Sequence, residues 1–135
     1  MMTRFFYLAA ATGLSLGLTG CLGNGTTTCS VTQTEPILTA TGPRTIALNQ
    51  TAAFTVSYLP QSSCATLDGF SEQSDNVTNS VNVGVRITYN GCDCPALSTP
   101  AQTTYSFKPT KTGTYYLRFI TAANIGYITD TLTVQ

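Results

Sequence analysis

Residues 81–89 alternate strictly. Val81, Val83, Val85, Ile87 and Tyr89 point one way, and Asn82, Gly84, Arg86 and Thr88 the other. A period of two over nine residues fits a strand with one buried face and cannot place its apolar groups on one side of a helix. The same pattern returns along the chain in shorter pieces. Phe54, Val56 and Tyr58 alternate with Thr55 and Ser57 within a strand expected over residues 51–59. Tyr105 and Phe107 share a face in 103–107, as do Tyr115, Leu117 and Phe119 in 113–121. Residues 128–134 set Thr129, Thr131 and Thr133 outward. Residues 35–41 and 44–48 read as one edge strand broken at Gly42-Pro43, and 66–73 as a weak strand around Leu67 and Phe70. Together these are about seven short strands at regular spacing, with no helical pattern. They predict an all-β fold: a single antiparallel sandwich.

Composition narrows the classes. Charged residues are 9% of 135, six basic and six acidic, and histidine and tryptophan are absent. Without histidine there is no histidine-based triad, imidazole ligand or imidazole pH switch. The near balance of charge leaves no basic stripe for nucleic acid. Low charge goes with disorder only where apolar residues are scarce, and here they make up 42%. A membrane barrel is disfavoured, because the faces opposite the apolar ones carry Thr, Asn, Ser and Arg.

The N-terminus carries a separate message. A short segment ending at Arg4 precedes an apolar run, residues 5–18, interrupted by Gly13 and Gly17. That is signal-peptide length and too short for a membrane span. The run closes in Leu18-Thr19-Gly20-Cys21, which resembles the lipobox of bacterial lipoproteins. The resemblance implies a leader over residues 1–20, lipidation of the Cys21 thiol and cleavage just before it. It also implies an address in the bacterial cell envelope with the membrane as partner through the lipid. Leu22, rather than Asp, resembles outer-membrane sorting in enterobacterial lipoproteins. Residues 21–34 are small and polar and are expected to form the lipidated cysteine and a flexible tether, with the domain occupying 35–135.

Thr112-Gly113-Thr114-Tyr115-Tyr116-Leu117 is similar to the Gly-x-Tyr-x-Cys run that opens strand F of immunoglobulin-like domains. The resemblance implies that Tyr115 is a corner tyrosine whose hydroxyl bonds back to the main chain. Leu117 stands where the inter-sheet cysteine would be, which points to the diverse bacterial immunoglobulin-like modules.

Besides Cys21 there are four cysteines: Cys29, Cys64, Cys92 and Cys94. In an exported chain they predict two disulfides, with three connectivities open. A Cys92–Cys94 bridge would close a very tight ring, so Cys29 and Cys64 are each expected to pair with one member of the Cys-x-Cys. Under the immunoglobulin-like strand order all four lie at one pole. The tether would enter there, leaving the opposite pole facing away from the membrane. The Cys-x-Cys spacing is unlike the usual zinc arms, and no metal site is expected.

Candidate sites beyond the cysteines are sparse. Asp68, Glu72 and Asp75 could together form a small cation or sugar site. Tyr89, Tyr116 and Tyr127 could present aromatic rings to a sugar or a protein. Asp130-Thr131-Leu132 matches a short O-glycosylation pattern. No nucleophile–base arrangement is visible, so the chain is expected to be no enzyme and to need no cofactor. The expectation is a non-catalytic binding or structural module of the envelope, its partner an envelope protein or a glycan and not nucleic acid. The alternatives are a small adhesin or carbohydrate-binding accessory protein, or an enzyme inhibitor presenting the stapled loop 90–100.

Overall fold

The structure is a computed structural model describing residues 29–122 and 126–135. Cys21, the leader and the first part of the tether lie outside the described residues. Among those described there is no helix. Nine strands form two sheets: β1 Ser30–Glu35, β2 Ile37–Thr41, β3 Thr45–Ile46, β4 Ala52–Tyr58, β5 Ala65–Asp75, β6 Ser80–Asn90, β7 Ala101–Phe107, β8 Gly113–Ala122 and β9 Gly126–Val134.

The strand that alternates most cleanly in the sequence is the centre of the larger sheet. β5 lies along one whole edge of β6. The other edge is shared. β1 pairs with its second half, from Ser30 against Asn90 to Glu35 against Val85, and β8 pairs with its first residues, Ser80–Val83. β9 and then β3 complete this sheet, and β2, β4 and β7 form the smaller one. The two strands flanking β6 converge on Gly84. A Cβ there would stand 2.7 Å from both Ser71 Oγ and Thr34 Cγ2, so only glycine leaves room for both neighbours.

The inward residues of the two sheets make one core. Val81, Val83, Val85, Ile87 and Tyr89 are all buried, as are Phe54, Val56, Tyr58, Tyr105, Leu117, Phe119 and Leu132. Phe54, Phe70, Tyr105 and Phe119 form its aromatic centre. Tyr105 lies edge-on to Phe70 and Phe119, with ring centroids 5.1 and 6.0 Å away. Gly42 meets this centre from the β2–β3 turn, where an added Cβ would come within 2.2 Å of the Phe54 ring.

Four expectations need correction. Residues 30–34, read as tether, are the strand β1. They pair through their main chain and also through Ser30 Oγ to Asn90 Oδ1 and Thr32 Oγ1 with Thr88 Oγ1, at 2.6 and 2.7 Å. A polar strand with most side chains exposed has no apolar face to betray it. The broken first strand is two strands in different sheets, with Gly42-Pro43 as the crossing between them. The weak strand over 66–73 extends to Ala65–Asp75 and carries a bulge between Leu67 and Gly69. Finally, the sheets are not wholly antiparallel, nor are there seven strands. β3 runs parallel to β9, and β6 parallel to β8. The second pairing arises because β7 crosses to the smaller sheet and the chain returns beside β6 in β6's own direction.

Candidate functional site

The chain enters the described domain at a pole built by its cysteines. Cys29 immediately precedes β1, Cys64 precedes β5, and Cys92 and Cys94 follow β6. The disulfides are Cys29–Cys92 and Cys64–Cys94, with Cα atoms 5.0 and 5.7 Å apart. Gly91 packs against the sulfurs of one bridge and bonds to the main chain of a cysteine of the other. Its N–H donates to Cys29 O at 2.8 Å. Its φ is +143°, and a Cβ there would lie 2.9 Å from both Cys64 Sγ and Cys94 Sγ. The following loop is braced against the β4–β5 loop: Ser63 N–H donates to Pro95 O and Leu97 N–H to Gln61 O. It is therefore a cross-linked arch rather than a free excursion.

Beneath this pole lies a buried carboxylate. Glu35, 1% exposed, accepts three hydrogen bonds on Oε1: from Tyr89 Oη at 2.6 Å, Gln33 Nε2 at 2.8 Å and Gln61 Nε2 at 3.2 Å. Tyr89 Oη in turn accepts from the Gln61 main-chain N–H. Burial, and then the bond to Glu35, pushes the Tyr89 hydroxyl up to about 12. Three neutral donors satisfy this oxygen, as a buried polar group requires. The network joins β1, β6 and the β4–β5 loop. Sequence reading did not single out Glu35; its only mark was a carboxylate next to Pro36 at the start of an apolar stretch.

The other candidates separate. Asp68 is bound by Arg86 through Nε and Nη2 on the exposed face of the larger sheet. Asp75 caps the β5–β6 turn, accepting from Thr78 Oγ1 and Val77 N–H, and these bonds hold its carboxyl below the usual carboxylate range. Glu72 lies near Tyr105, whose buried hydroxyl makes no hydrogen bond. Burial foremost, and the Glu72 charge after it, raise the pKa of that phenol. The three carboxylates thus form no common cage, and among the described residues no three metal-ligating side chains come together. Tyr89 is buried at 8% exposure, which corrects its reading as a surface ring. Tyr116 and Tyr127 are exposed but lie opposite Thr131 and Ile120, about 13 Å apart along the ladder, too far to stack on one sugar ring. Thr131 is exposed on β9, within the β8–β9 ladder.

The opposite pole holds the β3–β4, β5–β6 and β7–β8 turns. Between the last two lies an open cleft of about 390 Å³, lined by Asp75, Asn76, Asn79, Phe107, Lys108 and Lys111 among others. Tyr115 also lines it. Its ring stands edge-on to Phe107 at 5.3 Å, and its hydroxyl donates to Lys111 O at 3.1 Å. Arg86–Asp68 is the salt bridge of the described residues, so both lysines present unpaired charge to the cleft.

Comparison with protein-family models, curated proteins and solved structures finds no match to this chain.

Proposed function

We propose that this chain is a lipid-anchored module of a bacterial envelope, an immunoglobulin-like sandwich that holds a partner rather than transforming a substrate. The observation that carries the reading is where the chain enters. Seven residues separate Cys21 from Cys29, at most about 25 Å of extended chain, and Cys29 is bonded into the disulfide pole. An acylated Cys21 would hold that pole near the membrane and leave the far pole and the sheet faces free. Several acyl chains at about 0.8 kcal/mol per buried CH₂ suffice for firm anchorage. The immunoglobulin-like part draws on the Tyr115 bond to Lys111 O and on Leu117, fully buried at the cysteine position. The parallel β6–β8 pair is a departure from that pattern. Labelling of growing cells with radioactive palmitate tests the anchor. Label should enter the protein, and Cys21→Ser should abolish it and release the chain from the membrane fraction. A wild-type chain that takes up no label refutes the anchor.

The braced loop 91–100 favours a second reading, an inhibitor that offers a rigid loop to an enzyme. Titration against a panel of envelope and secreted proteases tests it; an unchanged rate with every protease would dismiss it.

A further inference from the structure

We propose that the free edge of β7 receives an extended strand of a partner protein, and that acidic residues of that strand lie against Lys108 and Lys111. The inference deepens the binding-module reading. It stands whether or not Cys21 carries lipid.

The sheets present six edges, and they are not equally open: the outer side of β9 is covered by β3 only at Thr133 and Val134, and its uncovered part carries Asp130. β3 has two residues. β2 carries a register shift and runs into Gly42-Pro43. β5 is long, but it is bulged at Leu67/Gly69 and carries Asp68, Glu72 and Asp75. Bulges, charges and prolines are the devices that keep an edge from pairing. β1 is uncharged as far as Thr34 but is stapled at Cys29 and stops at Glu35-Pro36. β7, Ala-Gln-Thr-Thr-Tyr-Ser-Phe, has no charge, no proline and no bulge against its one partner among the described residues, β4. Its Gln102, Thr104 and Ser106 side chains are exposed, and alternate main-chain groups on its outer edge have no strand to bond.

The lysines decide the occupant. β7 runs directly into the cleft, whose lining carries two lysines, Lys108 and Lys111, against one carboxylate, Asp75, and neither lysine forms an ion pair among the described residues. A second copy pairing antiparallel about Thr104 would set Pro100 opposite Lys108 and Leu97 opposite Lys111, which supplies no acid. Shifting the register to bring Asp93 to Lys108 would pair β7 with the loop containing Pro95 and Pro100, which cannot form a ladder. A foreign strand with acidic residues at its N-terminal end, paired antiparallel as β4 is on the other edge, satisfies both the ladder and the charge.

A synthetic peptide carrying two aspartates ahead of the β4 sequence Ala-Ala-Phe-Thr-Val-Ser-Tyr is the probe, with a two-lysine version as control. With the full-length chain in detergent, the aspartate peptide should bind more tightly and protect β7 amides from hydrogen exchange. N-methylation of alternate peptide residues should abolish binding in one frame and spare it in the other, because only one edge of the peptide meets β7. Lys108→Glu with Lys111→Glu should weaken the aspartate peptide by about tenfold, the effect of two exposed ion pairs, and favour the lysine peptide instead. No binding at millimolar peptide, indifference to N-methylation in both frames, or protection on β1 or β5 instead of β7 would each overturn the proposal. So would a free chain that is already a dimer with β7 protected. Each of these outcomes is independent of palmitate labelling, so failure here is distinguishable from failure of the anchor.

Discussion

Two residues concentrate the chemistry of the disulfide pole. Gly91 is held at φ +143° with sulfur atoms where a side chain would begin. Gly91→Ala should cost about 1–3 kcal/mol through backbone strain and contact with both sulfurs. In urea denaturation the loss should shrink after reduction, when the sulfurs can move aside; an equal loss in both states would place the cost elsewhere. Tyr89 is the second. Its folded pKa of about 12 lies above the ordinary 10, so the fold favours the neutral phenol. That contribution is complete below pH 10 and is lost as pH rises through 10 to about 12, since the unfolded chain releases its proton first. Phenolate absorbance of the folded protein should show one tyrosine ionising near pH 12, and Glu35→Gln should move it downward by weakening the charged acceptor. No shift in that variant would mean burial alone sets the value. Neither Gly91 nor the Tyr89 partner Glu35 announced itself in the sequence. What distinguishes Glu35 is contact with Gln61 and Tyr89, 26 and 54 positions away along the chain, and what distinguishes Gly91 is contact with Cys29 and Cys64, likewise remote in sequence.

Among elements, the β7–β8 turn is the most informative. Tyr115, at the start of β8, reaches back to Lys111 O, pinning the turn that directs β8 beside β6. Tyr115→Phe removes one exposed hydrogen bond and should cost about 0.5–1.5 kcal/mol by denaturant titration, with the Phe107 contact retained. A neutral result would leave the ring packing as its whole contribution. The resemblance of residues 112–117 to the immunoglobulin-like strand-F run implied a bond of this kind, and it is local, with donor and acceptor four positions apart. β1 was not legible, because its partners on β6 lie between Ser30↔Asn90 and Glu35↔Val85, remote in sequence, and all its side chains but Val31 are polar.

For the molecule as a whole, the two disulfides close stretches of 63 and 30 residues, each worth about 4 kcal/mol in the chain-entropy model. A Cys29→Ser/Cys92→Ser double variant should lower the thermal midpoint and raise hydrogen exchange in β1 first, since β1 is held otherwise by one neighbour. Uniform loss of protection across both sheets would show that this staple supports the whole sandwich instead.

The sequence by itself determined the inward face of β4, β6, β7, β8 and β9. Alternation is a property of neighbouring residues, and burying that face is the dominant gain on folding. It also narrowed three cysteine connectivities to the two in which Cys29 and Cys64 each pair with one member of the Cys-x-Cys. The tertiary structure alone decided which pairing is made, that the broken first strand serves two sheets, that β8 lies parallel to β6, and which edge remains open. Those depend on where distant segments meet, and a period of two is the same on either side of a sheet and in either direction.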